Sequence, residues 1–171
     1  MINMIPQPGE FAPFYQYYIN QVPEGNIITN MKESLGNTLS LLSVLPEEKW
    51  LHRYAEGKWS IKEVLLHITD AERVFAYRAL GVARHDQTSF PGFDQDAYVP
   101  ESRADTRSTK SLLSEFTAVR EASIQLFSHL DHDLWLRQGL ANNHPVSVRA
   151  LAYIIVGHEL HHINIIKERY L

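Results

Sequence analysis

Four long stretches of this sequence place apolar residues at steps of three and four, which is the spacing of an amphipathic helix. They cover residues 26–45, 60–84, 108–130 and 146–171. The segments between them lack the sustained alternation of apolar and polar residues that several strands would show. The pattern therefore predicts an all-α protein in which each helix buries one apolar face.

Local signals set the boundaries of these helices. Ser60 and Glu63 have the spacing of a capping box, in which each side chain bonds to the backbone of the other at a helix start. The first helix should end before Pro46, and the fourth should begin after the turn at 142–145. In the third helix the pattern predicts three charged side chains that face solvent: Glu115, Arg120 and Glu121.

A connection of more than twenty residues, 85–107, separates the second helix from the third. This length is unusual between helices of a bundle, and it permits a crossing over the end of the bundle and a lid over a site there. The aromatic segment 11–18 is expected to form a short helix or an arm that packs over the bundle. At 171 residues the chain fits one domain, 1–171, with 1–25 as its N-terminal arm or short helix.

Charge and composition argue against several classes of function. A net charge of −4, with no cluster of Lys and Arg interleaved with aromatic residues, makes nucleic-acid binding unexpected. The first eight residues have neither a basic segment nor an apolar run, and no later segment is apolar for about 18 residues, so we expect a cytoplasmic protein without a membrane partner. Because there are no cysteines, any sulfur chemistry would have to come from a bound small molecule.

The fourth helix contains the most informative functional motif, HELHH at 158–162. Two imidazoles four residues apart lie one turn apart on a helix, so both can face one metal ion. His158 and His162 also lie on the apolar stripe of this helix, whereas His161 is rotated toward its edge and is less well placed. The alternative is two buried histidines that are satisfied by hydrogen bonds.

A histidine pair leaves a divalent ion short of its usual three protein ligands, so a third should come from another helix. His67, two turns into the second helix, is the best candidate, and alone it would be an ordinary partly buried histidine. Glu63 and Asp70 flank it and either could accept its other N–H, or both could be solvated surface charges. The remaining histidines lie at predicted helix ends or in loops, where solvated or capping roles are expected: His52, His85, His129, His132 and His144.

The same motif satisfies His-Glu-x-x-His, the zinc-protease signature in which the glutamate, here Glu159, is the general base. Such a protease needs a further ligand downstream, but only nine residues follow His162. The extended pattern would require Gly and His where this chain has Ile165 and Glu168. A protease is therefore a minor alternative.

Three motifs together resemble the DinB/YfiT-like family: WSIKE at 59–63, HITDAE at 67–72 and GHELHH at 157–162. The resemblance covers nearly the whole chain and implies a four-helix bundle with a long connection between helices two and three. It also implies a divalent metal bound by His67, His158 and His162. Better-understood relatives are transferases or isomerases that use low-molecular-weight thiols, and relatives often form homodimers.

The expected function is a metal-dependent enzyme acting on a small molecule, with S-transferase-like chemistry in which the metal activates the thiol of a cosubstrate. A metal-dependent hydrolase is the runner-up, and a non-catalytic metal-binding or stress-response protein is a further alternative. Imidazole ligands accept Zn, Ni or Fe, so the ion is not identified. The 85–107 loop and the Asn142-Asn143 turn are expected to shape the pocket, whereas Asp94, Asp96 and Arg149 could contact substrate or be ordinary surface charges.

Overall fold

The computed structural model describes residues 5–171, so residues 1–4 of the predicted arm lie outside the described part. Eight α-helices are present there, and four of them are long. In chain order they are α1 (Gln16–Ile19), α2 (Ile27–Leu42), α3 (Glu47–Trp50), α4 (Ile61–Ala83), α5 (Gln95–Ser102), α6 (Thr109–Ser128), α7 (His132–Trp135) and α8 (Val148–Ile165). A 3-10 turn at Pro13–Tyr15 precedes α1, another at Ala104–Thr106 follows α5, and a π-helical turn at Ile166–Tyr170 follows α8.

The four long helices, α2, α4, α6 and α8, are the ones that the sequence predicts, and each begins at a polar cap. Asn26 caps α2, Ser108 caps α6 and Ser147 caps α8, each through a side-chain oxygen that accepts backbone N–H bonds. The capping box predicted for Ser60 and Glu63 is present at the start of α4. These caps fix where each helix starts and therefore which of its residues face inward.

Helix α8 is the central helix of the bundle. It packs against α1, α2 and α4, and its residues from Ala150 to Glu159 are all buried. Helix α4 packs against both α8 and α6. The sequence predicts a single apolar stripe on the fourth helix, but three neighbours cover α8 on all sides over this stretch.

The core consists of two apolar clusters, and the histidines lie between them along α4 and α8. One cluster includes α4 from Ala71 onward and α8 up to Val156, and the other includes α4 up to Ile68 and α8 from Ile163 onward. The order of the clusters along the two helices shows that α4 and α8 run antiparallel. A polar layer thus crosses the middle of the bundle.

The fold is mostly helical, as the sequence predicts, and it also contains a small three-stranded sheet that the sequence pattern does not indicate. The strands are β1 (Ser89–Phe90), β2 (Gln138–Ala141) and β3 (His144–Ser147), in the order β1-β2-β3, with β1 parallel and β3 antiparallel to β2. Strands of two to four residues are too short to show a period in the sequence. Asn142 and Asn143 both have positive φ, as a tight hairpin turn requires.

The connection at 85–107 folds into short elements of its own. It holds β1, α5 and the 3-10 turn, and both α5 and that turn pack against α4. The backbone N–H of Asn142 donates to the carbonyl of Phe90 at 2.8 Å, which joins the connection to the hairpin. The long connection therefore covers one side of α4 near the polar layer.

Candidate metal centre

Two helices bring the three predicted ligands to one point. His67 lies on the buried face of α4, two turns after its capped start, and His158 and His162 lie one turn apart on α8. His67 is 4% exposed and His158 is 6% exposed. Among residues 5–171, these three form the one group of His, Cys, Asp or Glu side chains that could hold a metal ion, with ligand atoms within 4.8 Å of one another.

The ring nitrogens of these histidines face each other. His158 Nε2 lies 3.1 Å from His67 Nε2 and 3.2 Å from His162 Nε2. The ring centroids are 4.9 Å apart for His67 and His158, 4.8 Å for His67 and His162, and 4.6 Å for His158 and His162. Three nitrogens that each lie about 2.0–2.1 Å from a tetrahedral zinc ion would be about 3.3 Å apart, so the spacing fits a shared ion.

Hydrogen bonding among the three rings cannot satisfy this arrangement. An imidazole nitrogen holds either one hydrogen or one lone pair in the ring plane, so it can bond to one neighbour. His158 Nε2 is within bonding distance of two nitrogens at once. A cation among them would accept a lone pair from each ring, so the donor set suits a metal better than it suits a network of histidines.

Burial keeps these imidazoles neutral, which is the form that binds metal. It lowers the pKa of His67 to about 4. Burial, followed by repulsion from His67 and His161, lowers the pKa of His162 to about 3. The pKa of His158 falls well below its ordinary value, mainly through burial and then through repulsion from its neighbouring histidines.

His161 does not join the cluster. Its ring packs against Tyr17 and Tyr18, with both centroid distances 5.3 Å, on the side of α8 that α1 covers. This agrees with its predicted position at the edge of the stripe. The five remaining histidines are all exposed: His52, His85, His129, His132 and His144.

Glu159 faces away from the histidines, which argues against the protease alternative. It is fully buried, and its carboxylate accepts hydrogen bonds from Thr38 Oγ1 and from Arg120 Nη1, both at 2.7 Å. Arg120 also binds Glu72, with Nη2 at 2.8 Å from Oε2. A general base of a zinc protease must face the ion, and this glutamate instead joins α8 to α2 and α6.

The sequence pattern predicts that Arg120 faces solvent. This prediction is wrong, because Arg120 is completely buried. Burial alone lowers its pKa, but the charges of Glu159 and Glu72 outweigh this effect and hold the pKa above its ordinary value. In the sequence, Arg120 follows Phe116 and precedes Ile124 by four residues each, which places it on the apolar stripe of α6. That position was the available signal for its burial.

Two cavities border the histidine cluster, one at His158 and the other at His162. One of about 400 Å³ is bounded by His158, by α1 and α4, by residues 92–95 of the connection and by Asn142. The other, of about 250 Å³, is bounded by His162, Trp59 and the π-helical turn, and both cavities border Gln95. The loop and the turn that the sequence predicts at the pocket are both found there.

The outer acidic residues have other partners. Glu63 accepts the backbone N–H of Ser60 at 2.8 Å and pairs with Arg53. Asp70 pairs with Arg73 at 3.0 Å. Both carboxylates are therefore bound by residues other than His67. Neither accepts the second N–H of His67, which was one of the two roles predicted for them.

The three residues that were predicted to contact substrate or to be surface charges, Arg149, Asp94 and Asp96, have different surroundings in the structure. Arg149 is held by Glu10, with its Nε 2.6 Å from Oε2, so it is not free to bind an anion. Asp94 lines the larger cavity, but its Oδ1 accepts the backbone N–H groups of Asp96 and Ala97 as the cap of α5. Asp96 is exposed and borders the smaller cavity.

Arg78 and Tyr15 line the larger cavity beside His158, and neither is among the site residues predicted from the sequence. Arg78 lies eleven residues after His67, or about 20° away on the same helix face. Its position on the histidine stripe was the available signal. Tyr15 comes from the aromatic segment that was expected to pack over the bundle.

Comparison with known proteins gives consistent results. Residues 30–166 match the sequence model of the DinB superfamily. The chain is 26% identical over 162 residues to a protein of Oceanobacillus iheyensis named as a candidate metal-dependent hydrolase, across 86% of this chain and 89% of that protein.

A solved structure shows the same fold. It is that of YfiT from Bacillus subtilis, described as a probable metal-dependent hydrolase with an unusual four-helix bundle topology. The TM-score is 0.70 at 15% sequence identity, over 95% of this chain and 89% of that one. Within residues 5–171, none of the helices has both the length and the apolar character that crossing a bilayer requires.

Proposed function

The chain belongs to the DinB superfamily, and from this premise we propose that it is a metal-dependent hydrolase of a small molecule. In this proposal His67, His158 and His162 hold one divalent ion. The main support is the convergence of three Nε2 atoms from two buried histidines and one half-buried histidine, with His158 Nε2 at 3.1 Å and 3.2 Å from the other two. The names of the relatives from Oceanobacillus iheyensis and Bacillus subtilis agree with hydrolysis.

Three neutral histidines suit a catalytic rather than a purely structural ion. They leave the charge of the ion uncompensated and at least one coordination position open, and the cavities provide access to it. When bound, a divalent ion supplies a Lewis acid that lowers the pKa of a coordinated water toward neutrality and deprotonates a coordinated thiol. Zn, Ni and Fe all suit imidazole ligands.

The surrounding residues of the chain limit water and orient the ligands. Trp59 packs on His67 with ring centroids 4.9 Å apart, and Tyr18 and Phe75 pack edge-on against His158 at 5.4 Å and 5.9 Å. These aromatic rings hold the imidazoles in place and give the cavities apolar walls. A substrate would enter beside α1 and the long connection and bring its scissile bond to the histidine cluster.

Thiol-dependent group transfer is the second candidate, and one observation favours it. One cavity borders His158 and another borders His162, so two small molecules could approach one ion together. Because the chain has no cysteine, the thiol would have to come from a cosubstrate. Hydrolysis needs one organic ligand and water, whereas transfer needs both cavities.

The test is an activity screen of protein purified without a His-tag or nickel column and then loaded with Zn, Ni or Fe. We expect a panel of small esters and amides to include substrates that are hydrolysed by metal-loaded protein and not after chelation. Turnover that requires and consumes a low-molecular-weight thiol would instead support the transferase. No turnover of either kind in metal-loaded protein would contradict both.

A matched pair of variants connects activity to the cluster. His162→Ala should abolish metal binding and activity, whereas His161→Ala, one residue away, should retain both because its ring faces α1. If the ion only ties helices together, loss of His162 should mainly lower the melting temperature, by several degrees or more. A homodimer and a cytoplasmic location stay predictions.

A further inference from the structure

Arg78 is a buried cation that has no ion-pair partner among residues 5–171. It is 4% exposed and borders the same cavity of about 400 Å³ as His158. No carboxylate of residues 5–171 lies within 4.0 Å of its guanidinium, whereas buried Arg120 contacts two carboxylates and Arg149 contacts Glu10. An unpaired buried charge is unfavourable, so this position calls for a partner.

The guanidinium is held in place but is not saturated. Its Nη2 donates to the Pro91 carbonyl at 2.5 Å, and its Cζ lies 5.8 Å from the ring centre of Phe75 and 6.0 Å from that of Phe93. Arginine has five N–H donors, and this carbonyl uses one of them. Several donors therefore remain for a molecule in the cavity.

Tyr15 supplies a second polar group beside Arg78. Both residues line the wall of the same cavity. Burial raises the pKa of the Tyr15 hydroxyl, and the Arg78 cation offsets part of this effect. The hydroxyl therefore stays protonated at neutral pH and can donate a hydrogen bond to an anion.

We propose that Arg78 and Tyr15 form a subsite for the carboxylate of a small substrate whose apolar body fills the same cavity. The reacting group at the other end of the substrate would reach the ion at His158. This inference rests on the proposed function, because it names the class of molecule that the metal centre would act on.

A monocarboxylate fits this cavity better than a phosphate. The planar guanidinium fork matches the two oxygens of a carboxylate, and one positive charge balances one negative charge. Asp94 borders the same cavity and would repel a dianion more strongly. The body of the ligand should be apolar or aromatic because five aromatic side chains line the cavity: Phe14, Tyr15, Tyr18, Phe75 and Phe93.

Calorimetric titration of metal-loaded protein with 3-phenylpropionate and its neutral amide tests the subsite. We expect the carboxylate to bind about tenfold tighter or more, as a charge-assisted hydrogen bond predicts. Arg78→Met should remove this preference and leave affinity for the amide similar. Arg84→Met is the matched control, since Arg84 is exposed at the end of the same helix, and it should behave as wild type.

Several outcomes would overturn the proposal. Equal affinity for acid and amide, or an unchanged preference in Arg78→Met, contradicts the subsite. The preference for the acid over the amide could also disappear in metal-free His162→Ala and persist in Arg78→Met. That result would show that the carboxylate binds the ion and not Arg78. Inorganic phosphate that binds tighter than the carboxylate through Arg78 contradicts the ligand class.

Two more measurements keep the test decisive. If Arg78→Met does not fold by circular dichroism, Arg78→Lys and Tyr15→Phe should each weaken the preference severalfold, and no effect in either contradicts the subsite. Metal content is measured on every sample. A wild-type protein that takes up no ion but keeps the Arg78-dependent preference would refute the proposed function and leave the subsite standing.

Discussion

The Nε2 atom of His158 lies at the centre of the candidate metal site. It lies within 3.2 Å of two other imidazole nitrogens, in a layer between two apolar clusters. Burial lowers the pKa of all three histidines, so they are ready to bind a cation at neutral pH without first losing protons. The same burial makes the metal-free protein sensitive to acid.

Stability of metal-free protein should fall as the pH drops below about 6.5. The pKa values of His67 and His162 are about 4 and about 3 in the folded chain, against 6.5 ordinarily, so between these values only the unfolded chain takes up the protons. Each such histidine removes about 1.4 kcal/mol per pH unit from the free energy of unfolding. Urea unfolding at about pH 7, 6 and 5 measures this slope.

A variant identifies the source of that slope. His162→Ala should make it shallower, because it removes one of the histidines whose pKa burial lowers. Equal slopes in wild type and His162→Ala would show that these histidines do not titrate as their burial requires.

The ion pairs of Arg120 should contribute more to stability than any surface pair. Arg120→Met would leave Glu72 and Glu159 buried without a cation and should lower the free energy of unfolding by about 3–5 kcal/mol. Arg73→Met is the comparison, because the exposed pairs that it breaks with Asp70 and Glu115 are worth about 1 kcal/mol or less. Urea unfolding of both variants compares the two losses, and similar values would contradict the role given to Arg120.

At the level of residues, the sequence predicts the histidines but not the groups around them. Helical spacing alone brings His158 and His162 together, and the need for a third ligand selects His67. The buried partner of Glu159 cannot be found this way, because Arg120 belongs to a different helix and its pairing depends on how α6 and α8 pack. Cavity residues such as Arg78 likewise depend on where the long connection crosses.

Among the helices, α1 and α8 approach each other closely at Gly157, beside His158. A Cβ at this position would overlap the backbone carbonyl of Tyr18. Gly157→Ala should therefore push α1 away, destabilise the protein by about 1–3 kcal/mol and weaken ligand binding in the larger cavity. Gly36→Ala is the control, since nothing lies near its Cβ and alanine should stabilise α2 by about 0.5–1 kcal/mol.

Melting temperatures and calorimetry of these two glycine variants measure both effects. A Gly157→Ala protein that is as stable as Gly36→Ala would mean that α1 does not pack on α8 as described.

The long elements are predictable from sequence and the short ones are not. Caps and apolar spacing give α2, α4, α6 and α8 within a few residues, because each signal is repeated over several turns. The hairpin of β2 and β3 depends on two asparagines with positive φ, for which Asn142-Asn143 was a usable signal. Strand β1 has two residues and forms only because the connection meets the hairpin, a tertiary contact that no local pattern encodes.

For the whole molecule, an ion at the histidine layer would join two antiparallel helices through the middle of the bundle. Zinc should therefore raise the melting temperature of tag-free protein in proportion to the logarithm of its concentration above Kd. Magnesium should have little effect, because it prefers oxygen ligands. Equal shifts with both ions, or the same zinc shift in His162→Ala, would show that binding occurs elsewhere.

The central claim is that one divalent ion is shared by three imidazoles from α4 and α8, and X-ray absorption spectroscopy of the zinc-loaded protein tests it most directly. We predict one zinc per chain with about three imidazole nitrogens at about 2.0–2.1 Å and one further light ligand. Alanine at position 67 should remove one of these imidazoles or abolish binding. Substoichiometric zinc, or a zinc with fewer than three imidazole ligands, would contradict the account.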